Sequence, residues 1–438
     1  MKKVKVIGGG LAGVEAAFQI ARAGLEVELY EMRPEKKTPA HNTPYLAEIV
    51  CSNSFGSVKE TTASGLLKKE MELLGSITLE VAREVAVPAG QALAVDREEF
   101  GRRITMRIEG MERIKVIRKE VTSIPEEGPV ILATGPLTSE PLSRAIMDFT
   151  GRKNLFFFDA TTPIVTASSI DMDKAFVASR YGKGGDDYIN CPMTEEEYRR
   201  FYEELIKAEK VELKDFEKKL FESCLPIEEI AARGPKTLLF GPLKPIGLID
   251  PRTGKTPYAV VQLRQDNIAA TLYSLVGFQT RLKWGEQKRV FSLIPCLHRA
   301  EFVRYGVMHR NTYINSPAIL LETLQTRKRE DLFFAGQIVG VEGYMESAAM
   351  GIMAGIFASK LIRGEELKPP PVTTAIGSLL HYISHADWKD FQPMNFVFGL
   401  LPPLKKKIRD KRSRRYAYYQ RAIEELKEWM KIHLISNK

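Results

Sequence analysis

An α/β fold with a parallel sheet, interrupted by an inserted α+β region and followed by a helical tail, is predicted by three features of the 438-residue sequence. The chain opens as strand, glycine turn, helix, strand. Two later apolar strands end in glycine-rich turns, as returns to the same sheet would. Between those returns the pattern changes to mixed strands and densely charged helices. A chain of this length is expected to form two domains. We place the first domain in two parts, 1–150 and 322–438, the latter including the helical tail, with 151–321 inserted between them.

The elements follow in order. Lys3 to Ile7 alternates as a short strand, and a helix runs from about Leu11 to Ala23, where Gly24 ends it. "EVELYE" forms a second strand ending at Glu31, which completes a βαβ unit. "EGPVILATGP" (Glu127 to Pro136) returns to the sheet. The middle holds the strands "LFFFDATTPIVTA" and "YAVVQL" and a helix pair in "TEEEYRRFYEELIKAEKVELKDFEKKLFES", whose Glu/Lys pairing suits solvent-facing helices. "EDLFFAGQIVGVEGYMESAAMGIMAGIFASKL" again reads strand, glycine-rich loop, helix, and "EELKPPPVTT" marks the exit to the tail.

Composition limits the function classes. With 44% hydrophobic and 27% charged residues the chain is an ordinary soluble globular protein. The longest apolar run, "AAMGIMAGIF", falls short of the roughly 18 residues a membrane span requires. The start lacks the apolar length and cleavage pattern of a signal peptide. The four cysteines, Cys51, Cys191, Cys224 and Cys296, form no CxxC, and no HExxH occurs. Neither a metal site nor a disulfide framework is expected, and a reducing cytoplasm is the natural setting. The net charge of +9 suits an anionic partner. "KKKIRDKRSRR" (Lys405 to Arg415) concentrates it, as either a solvated basic helix surface or a footprint for a nucleic-acid backbone.

Gly8-x-Gly10-x-x-Gly13 lies between strand and helix, which makes it a dinucleotide site rather than a chance glycine cluster. Gly8 allows the tight turn, Gly10 lets a pyrophosphate approach, and Gly13 allows close helix packing, with the helix N-terminus facing the phosphates. Glu31 follows 18 residues after Gly13, placed to meet ribose hydroxyls. The second loop, Gly336, Gln337, Gly340 and Gly343 before another helix, brings a second positive helix end to the same dinucleotide. That suits the pyrimidine end of a flavin, so the cofactor is expected to be FAD.

The stretches "GGGLAGVEAA", "EMRP", "AEIVCSNSFGS", "QALAVDREEF", "ILATGPLTS", "FESCLPIEEIAARG", "YGVMHRNTYINSP" and "FFAGQIVGVEGYMESAAMG" together closely resemble the folate- and FAD-dependent tRNA (uracil-5-)-methyltransferases. The resemblance extends to about residue 400. It implies a Rossmann-like FAD-binding domain of the glutathione-reductase type, and methylation of the T-loop uridine of tRNA (position 54) to ribothymidine. It further implies 5,10-methylenetetrahydrofolate as one-carbon donor, and NADPH or NADH as the source of electrons through FAD.

That chemistry needs a nucleophile at uracil C6 to make C5 reactive and a group to take the C5 proton. A thiolate suits the first task. By resemblance Cys224 is the C6 nucleophile and Cys51 removes the proton or protects the one-carbon unit, and those roles are interchangeable at this level. Cys191 and Cys296 match no such motif and are expected to be structural. Tyr344 is a candidate to stack on the flavin or folate ring, Arg33 to contact the adenosine side, and His309, Arg310 and Asn311 to hold folate or tRNA phosphate. "SNSFGS" suits a loop beside the flavin. Three other classes stay in view: the wobble-uridine tRNA-modifying flavoproteins, a small-molecule NAD(P)H-flavin oxidoreductase, and a non-catalytic tRNA-binding flavoprotein. The cysteine pair and the basic run argue against the second, and the chain length and "CSNSFGS" against the first.

Overall fold

The structure, a computed structural model, describes residues 3–38, 40–152, 155–211 and 225–434, and of 156–159 and 308–310 the backbone alone. A five-stranded sheet runs in the order Leu332–Phe334, Val130–Leu132, Val4–Ile7, Val27–Glu31, Ile114–Arg118. Every pairing in it is parallel. Val4, Val6, Leu29, Ile131 and Phe333 are fully inaccessible, as strands covered on both faces require. Both glycine-rich returns read from the sequence therefore join this sheet, one on each side of a long excursion.

The first helix, Leu11–Arg22, and the long helix, Tyr344–Arg363, lie side by side. Glycines make the crossing close: a Cβ on Gly351 would fall 2.2 Å from the Ala12 carbonyl oxygen, and one on Gly355 2.6 Å from that of Ala16. The two helix N-termini consequently face the same ends of the sheet. Among the described residues Tyr344–Arg363 is the one helix long and apolar enough to cross a membrane, and 78% of its apolar window is buried inside the fold. It is a core helix.

The excursion has a core of its own. Six strands, Phe176–Val177, Tyr188–Met193, Ala259–Gln265, Leu272–Leu275, Ile164–Thr166 and Phe302–Arg304, form an antiparallel sheet in that order. Its inward residues, among them Val261, Leu263, Phe278 and Phe291, pack with one another rather than with the first core. The charged helix Glu195–Lys207 docks through Tyr198, Phe201 and Leu205, and its N-terminus is closed by reciprocal Thr194–Glu197 hydrogen bonds. The expected partner helix lies across 212–224, outside the described residues.

Two expectations are corrected here. Cys191 and Cys296 are joined as a disulfide, with Cα atoms 5.7 Å apart, tying the six-stranded sheet to the Pro295–Leu297 turn. Their separation of 105 residues leaves no spacing motif to read, and only the fold brings them together. The basic run is also not one helix surface. Asp410 caps the helix Lys411–His433, so Lys405 to Arg409 precede it as exposed, non-helical chain.

Candidate active site

The glycines at the end of the first strand are explained by what a side chain would strike. Gly8 has φ +105°, and a Cβ there would meet the Ala133 carbonyl oxygen at 2.5 Å. A Cβ on Gly13 would fall 1.7 Å from the Gly8 carbonyl oxygen, so strand turn and helix touch without space between them. Gly10 differs: nothing lies within 4 Å of a Cβ built on it. It caps the first helix and opens onto a cleft, where unpaired first-turn N–H groups and the positive helix end favour an anion.

The second strand ends beside it. The Gly9 N–H donates to Glu31 Oε2 at 3.0 Å, and Arg33 donates to Oε1 from its backbone N and from Nε, and to Oε2 from Nη2. Arg33 Nη1 reaches Glu48 at 2.9 Å. Burial opposes the Glu31 charge, but Arg33 outweighs it and holds the carboxyl below the usual range. Both side chains line the cleft. Sequence reading assigned Glu31 to a ribose and Arg33 to adenosine, but the structure gives them to each other first.

The second glycine loop, after the edge strand Leu332–Phe334, adjoins the first. Gly336 has φ +84°, and its Cβ would strike that of Ala12 at 2.7 Å, so the two glycine motifs abut. Gln337 Nε2 donates to Glu342 at 2.7 Å. Gly343 has φ +100°, with Glu346 Oε2 where a Cβ would stand, and Tyr344 begins the long helix. The resulting cleft lies between Gly8–Ala12, Glu31–Arg33, Lys119–Val121, Ala133–Ser139, Gly336–Gln337 and Tyr344. No spacing motif marks Lys119–Val121, and 133–139 lies in the quoted "ILATGPLTS" without any of its residues signalling a contact. They were not read as site residues.

Cys51 stands at the border of this cleft. Its backbone N–H donates to Tyr344 Oη at 2.8 Å, across 293 residues of sequence. Tyr344 lies edge-on to Phe55, with ring centroids 5.8 Å apart. Cys51 is half-buried and outside any disulfide. The "SNSFGS" loop turns here into the strand Ser54–Ser57. Three arginines absent from the sequence reading converge on it: Arg97, Arg264 and Arg304. Arg97 sits in the quoted "QALAVDREEF", but nothing in that stretch signals that its partner would be the cysteine loop.

Cys224 lies outside the described residues. The residues that follow it lead into the helix Ile227–Ala232, anchored by the Ile227 N–H on the Gln279 carbonyl at 2.7 Å. His309 and Arg310 lie on the strand Met308–Tyr313, their side chains outside the described set, and Asn311 is 1% exposed.

The geometry has full-length counterparts. The Glucose inhibited division protein A family matches residues 3–366. A methylenetetrahydrofolate–tRNA-(uracil-5-)-methyltransferase TrmFO from Sulfurihydrogenibium sp. is 58% identical over 430 residues, covering 98% of each chain. One of the same name from Aquifex aeolicus is 58% identical over 431 residues, covering 98% of this chain and 97% of its own. The crystal structure of Aquifex aeolicus GidA superposes with a TM-score of 0.70 at 18% identity, over 98% of this chain and 73% of that one, and so shares its fold. With similarity at this level running through both glycine loops, the cysteine loop and the inserted sheet, the chain belongs to the methylenetetrahydrofolate–tRNA-(uracil-5-)-methyltransferase family within the Glucose inhibited division protein A fold.

Proposed function

We propose that this protein transfers a one-carbon unit from 5,10-methylenetetrahydrofolate to C5 of the T-loop uridine (position 54) of tRNA, with NADPH or NADH as the source of electrons. The observation that supports the reading is the 2.8 Å hydrogen bond from the Cys51 backbone N–H to Tyr344, a residue that lines the cleft. The cleft fits FAD: open space at Gly10 suits a pyrophosphate, and the two glycine motifs abut at the Gly336–Ala12 contact. Gly8, Gly10, Gly13, Glu31, Arg33, Gly336, Gln337, Gly343 and Tyr344 would hold it. When bound, FAD supplies the hydride that completes the methyl group.

The protein's own residues do the rest. The Cys224 thiolate adds to uracil C6, which makes C5 nucleophilic toward the folate methylene carbon. Cys51 takes the C5 proton as tetrahydrofolate leaves the transferred carbon; once hydride has reached that carbon, Cys224 leaves C6 and the ring regains its double bond, and the two thiols exchange these roles without altering the balance of the reaction. The exposed cations of residues 405–415 contact tRNA phosphates and orient the T-arm. A cytoplasmic setting supplies all three substrates. The 18% identity to GidA supports a shared fold alone, whereas the 58% relatives carry the methyltransferase name over their full length.

The test is label transfer. Purified protein, unmodified tRNA transcript, NADPH and methylenetetrahydrofolate labelled in its one-carbon unit should give labelled ribothymidine, abolished in Cys224→Ala and Cys51→Ala. Label that persists in Cys224→Ala moves the nucleophile to Cys51. No label from flavin-loaded protein overturns the reading in favour of the wobble-uridine or small-molecule alternatives.

A further inference from the structure

We infer that Arg264 and Arg304, both from the inserted sheet, are positioning residues that clamp the Cys51 loop and fix its thiol against the dinucleotide cleft. The inference rests on the assignment of Cys51 to the active site. Five consecutive residues of that loop each accept a hydrogen bond from an arginine distant in sequence. Arg97 donates to the carbonyls of Ile49 (2.6 Å) and Cys51 (3.3 Å). Arg304 donates to the carbonyl of Val50 at 2.8 Å. Arg264 donates to Ser52 Oγ and Asn53 Oδ1, both at 2.7 Å. Asn53 passes the restraint onward through Nδ2 to the carbonyls of Val95 and Gln265, each at 2.9 Å.

The arrangement exceeds what holding a loop against the core requires. A turn of small polar residues is ordinarily satisfied by its own backbone and by water. Here guanidinium groups are taken out of water to do it, and the described residues offset their charges only in part. Asp266 is the carboxylate that faces them, pairing with Arg97 at 3.2 Å. Burial opposes the Arg97 charge, and Asp266 more than offsets it. Arg264 and Arg304 are offset only in part: burial depresses the charged form of each, against Tyr188 and Asp266 at Arg264, and joined by the nearby Arg97 against Tyr344, Cys51 and Asp266 at Arg304. Partly offset buried cations next to a thiol make its anion more favourable. The clamp therefore sets both the place of Cys51 and the charge around it. Because two of its three arms belong to the inserted sheet, the thiol is correctly set only when that sheet is docked.

The arms differ in a way a substitution can read. Arg304 makes its short bond through one nitrogen, which a lysine ammonium can replace; Arg264 uses Nε and Nη2 on two acceptors, which it cannot. The experiment compares FAD-loaded Arg264→Met, Arg304→Met, Arg264→Lys, Arg304→Lys and Cys51→Ser in label transfer. In parallel, alkylation of Cys51 by iodoacetamide is followed across pH and quantified on the Cys51 peptide. Both Met variants should keep FAD and the KM for tRNA while kcat falls about 10²-fold. Arg304→Lys should recover most of the loss and Arg264→Lys little, and in Arg304→Met the alkylation profile should move to higher pH. An unchanged kcat, a kcat loss that merely follows FAD loss, or an unmoved Cys51 profile overturns the clamp, even when Cys51→Ser is inactive. Full activity in Cys51→Ser with a moved profile instead upholds the clamp and removes Cys51 from the chemistry.

Discussion

At the carboxyl ends of Val4–Ile7 and Leu332–Phe334 the protein meets the cleft with backbone: glycines at positive φ and the first turns of two helices. From the antiparallel sheet it meets the same region with long side chains, Arg264 and Arg304, reaching 2.7–2.8 Å from the cysteine loop. Backbone sites are rigid and intolerant, because a single added carbon collides with an atom that cannot move. Side-chain sites are adjustable, because a shorter cation can still reach. The first arrangement suits a resident dinucleotide. The second suits a reacting group whose position depends on another part of the chain.

The largest expected effect tests the backbone half. Gly13→Ala, with its Cβ 1.7 Å from the Gly8 carbonyl oxygen, should cost more than about 4 kcal/mol and abolish FAD retention, read by urea denaturation and visible absorbance. A stable, yellow Gly13→Ala protein would break the comparison. Next is the pairing beside it. Glu31→Gln leaves buried Arg33 with Glu48 alone and should destabilise by about 3 kcal/mol in the same assay, whereas a neutral outcome would show that Glu48 suffices.

A smaller effect concerns Glu15, buried in the first helix. Burial raises its pKa to about 7, Ser76 Oγ and the Thr78 N–H bond its Oε1, and its Oε2 has no hydrogen-bond partner among the described residues. A carboxyl whose folded pKa lies above its unfolded value stabilises the fold at low pH and loses that contribution as pH rises toward 7. Its ceiling is about 1.4 kcal/mol per pH unit. Glu15→Gln should therefore flatten the decline in the urea midpoint between pH 5 and pH 8; parallel curves for variant and parent would refute the assignment.

The smallest stability effects sharpen the contrast from outside. Gly10→Ala has open space around its Cβ and should shift stability by less than about 0.5 kcal/mol, yet weaken FAD binding roughly tenfold by filling the phosphate path. Calorimetric FAD titration separates it from Gly13→Ala. Replacing exposed Lys406 and Lys407 together by Ala should leave folding within about 0.5 kcal/mol while raising the KM for tRNA and lowering its salt dependence. An unchanged KM would remove the basic run from the RNA surface.

The first strand, the glycine turn and the helix from Leu11 were legible because period-two and period-3.6 patterns are local, and a strand-to-helix glycine turn has few other uses. Glu31 and Arg33 were singled out from the sequence and line the cleft, but their mutual pairing was not legible, since spacing along a strand end does not reveal which side chain turns back. Arg264 and Arg304 were invisible for a related reason. Each sits in a strand where an arginine is unremarkable, and its partners lie more than 200 positions away.

The sequence by itself determined four of the parallel sheet's five strands, all but Ile114–Arg118, the nucleotide-binding turn and, through resemblance, the family. All of these reside in short windows where composition and spacing carry the physics. Tertiary structure alone decided the Cys191–Cys296 pairing, the contact of Gly336 with Ala12, and the seating of Cys51 on Tyr344 within three arginines. Those are distances between segments separated by hundreds of residues, and they follow from how two independent hydrophobic cores, each closing on its own apolar side chains, hold the loops that project between them.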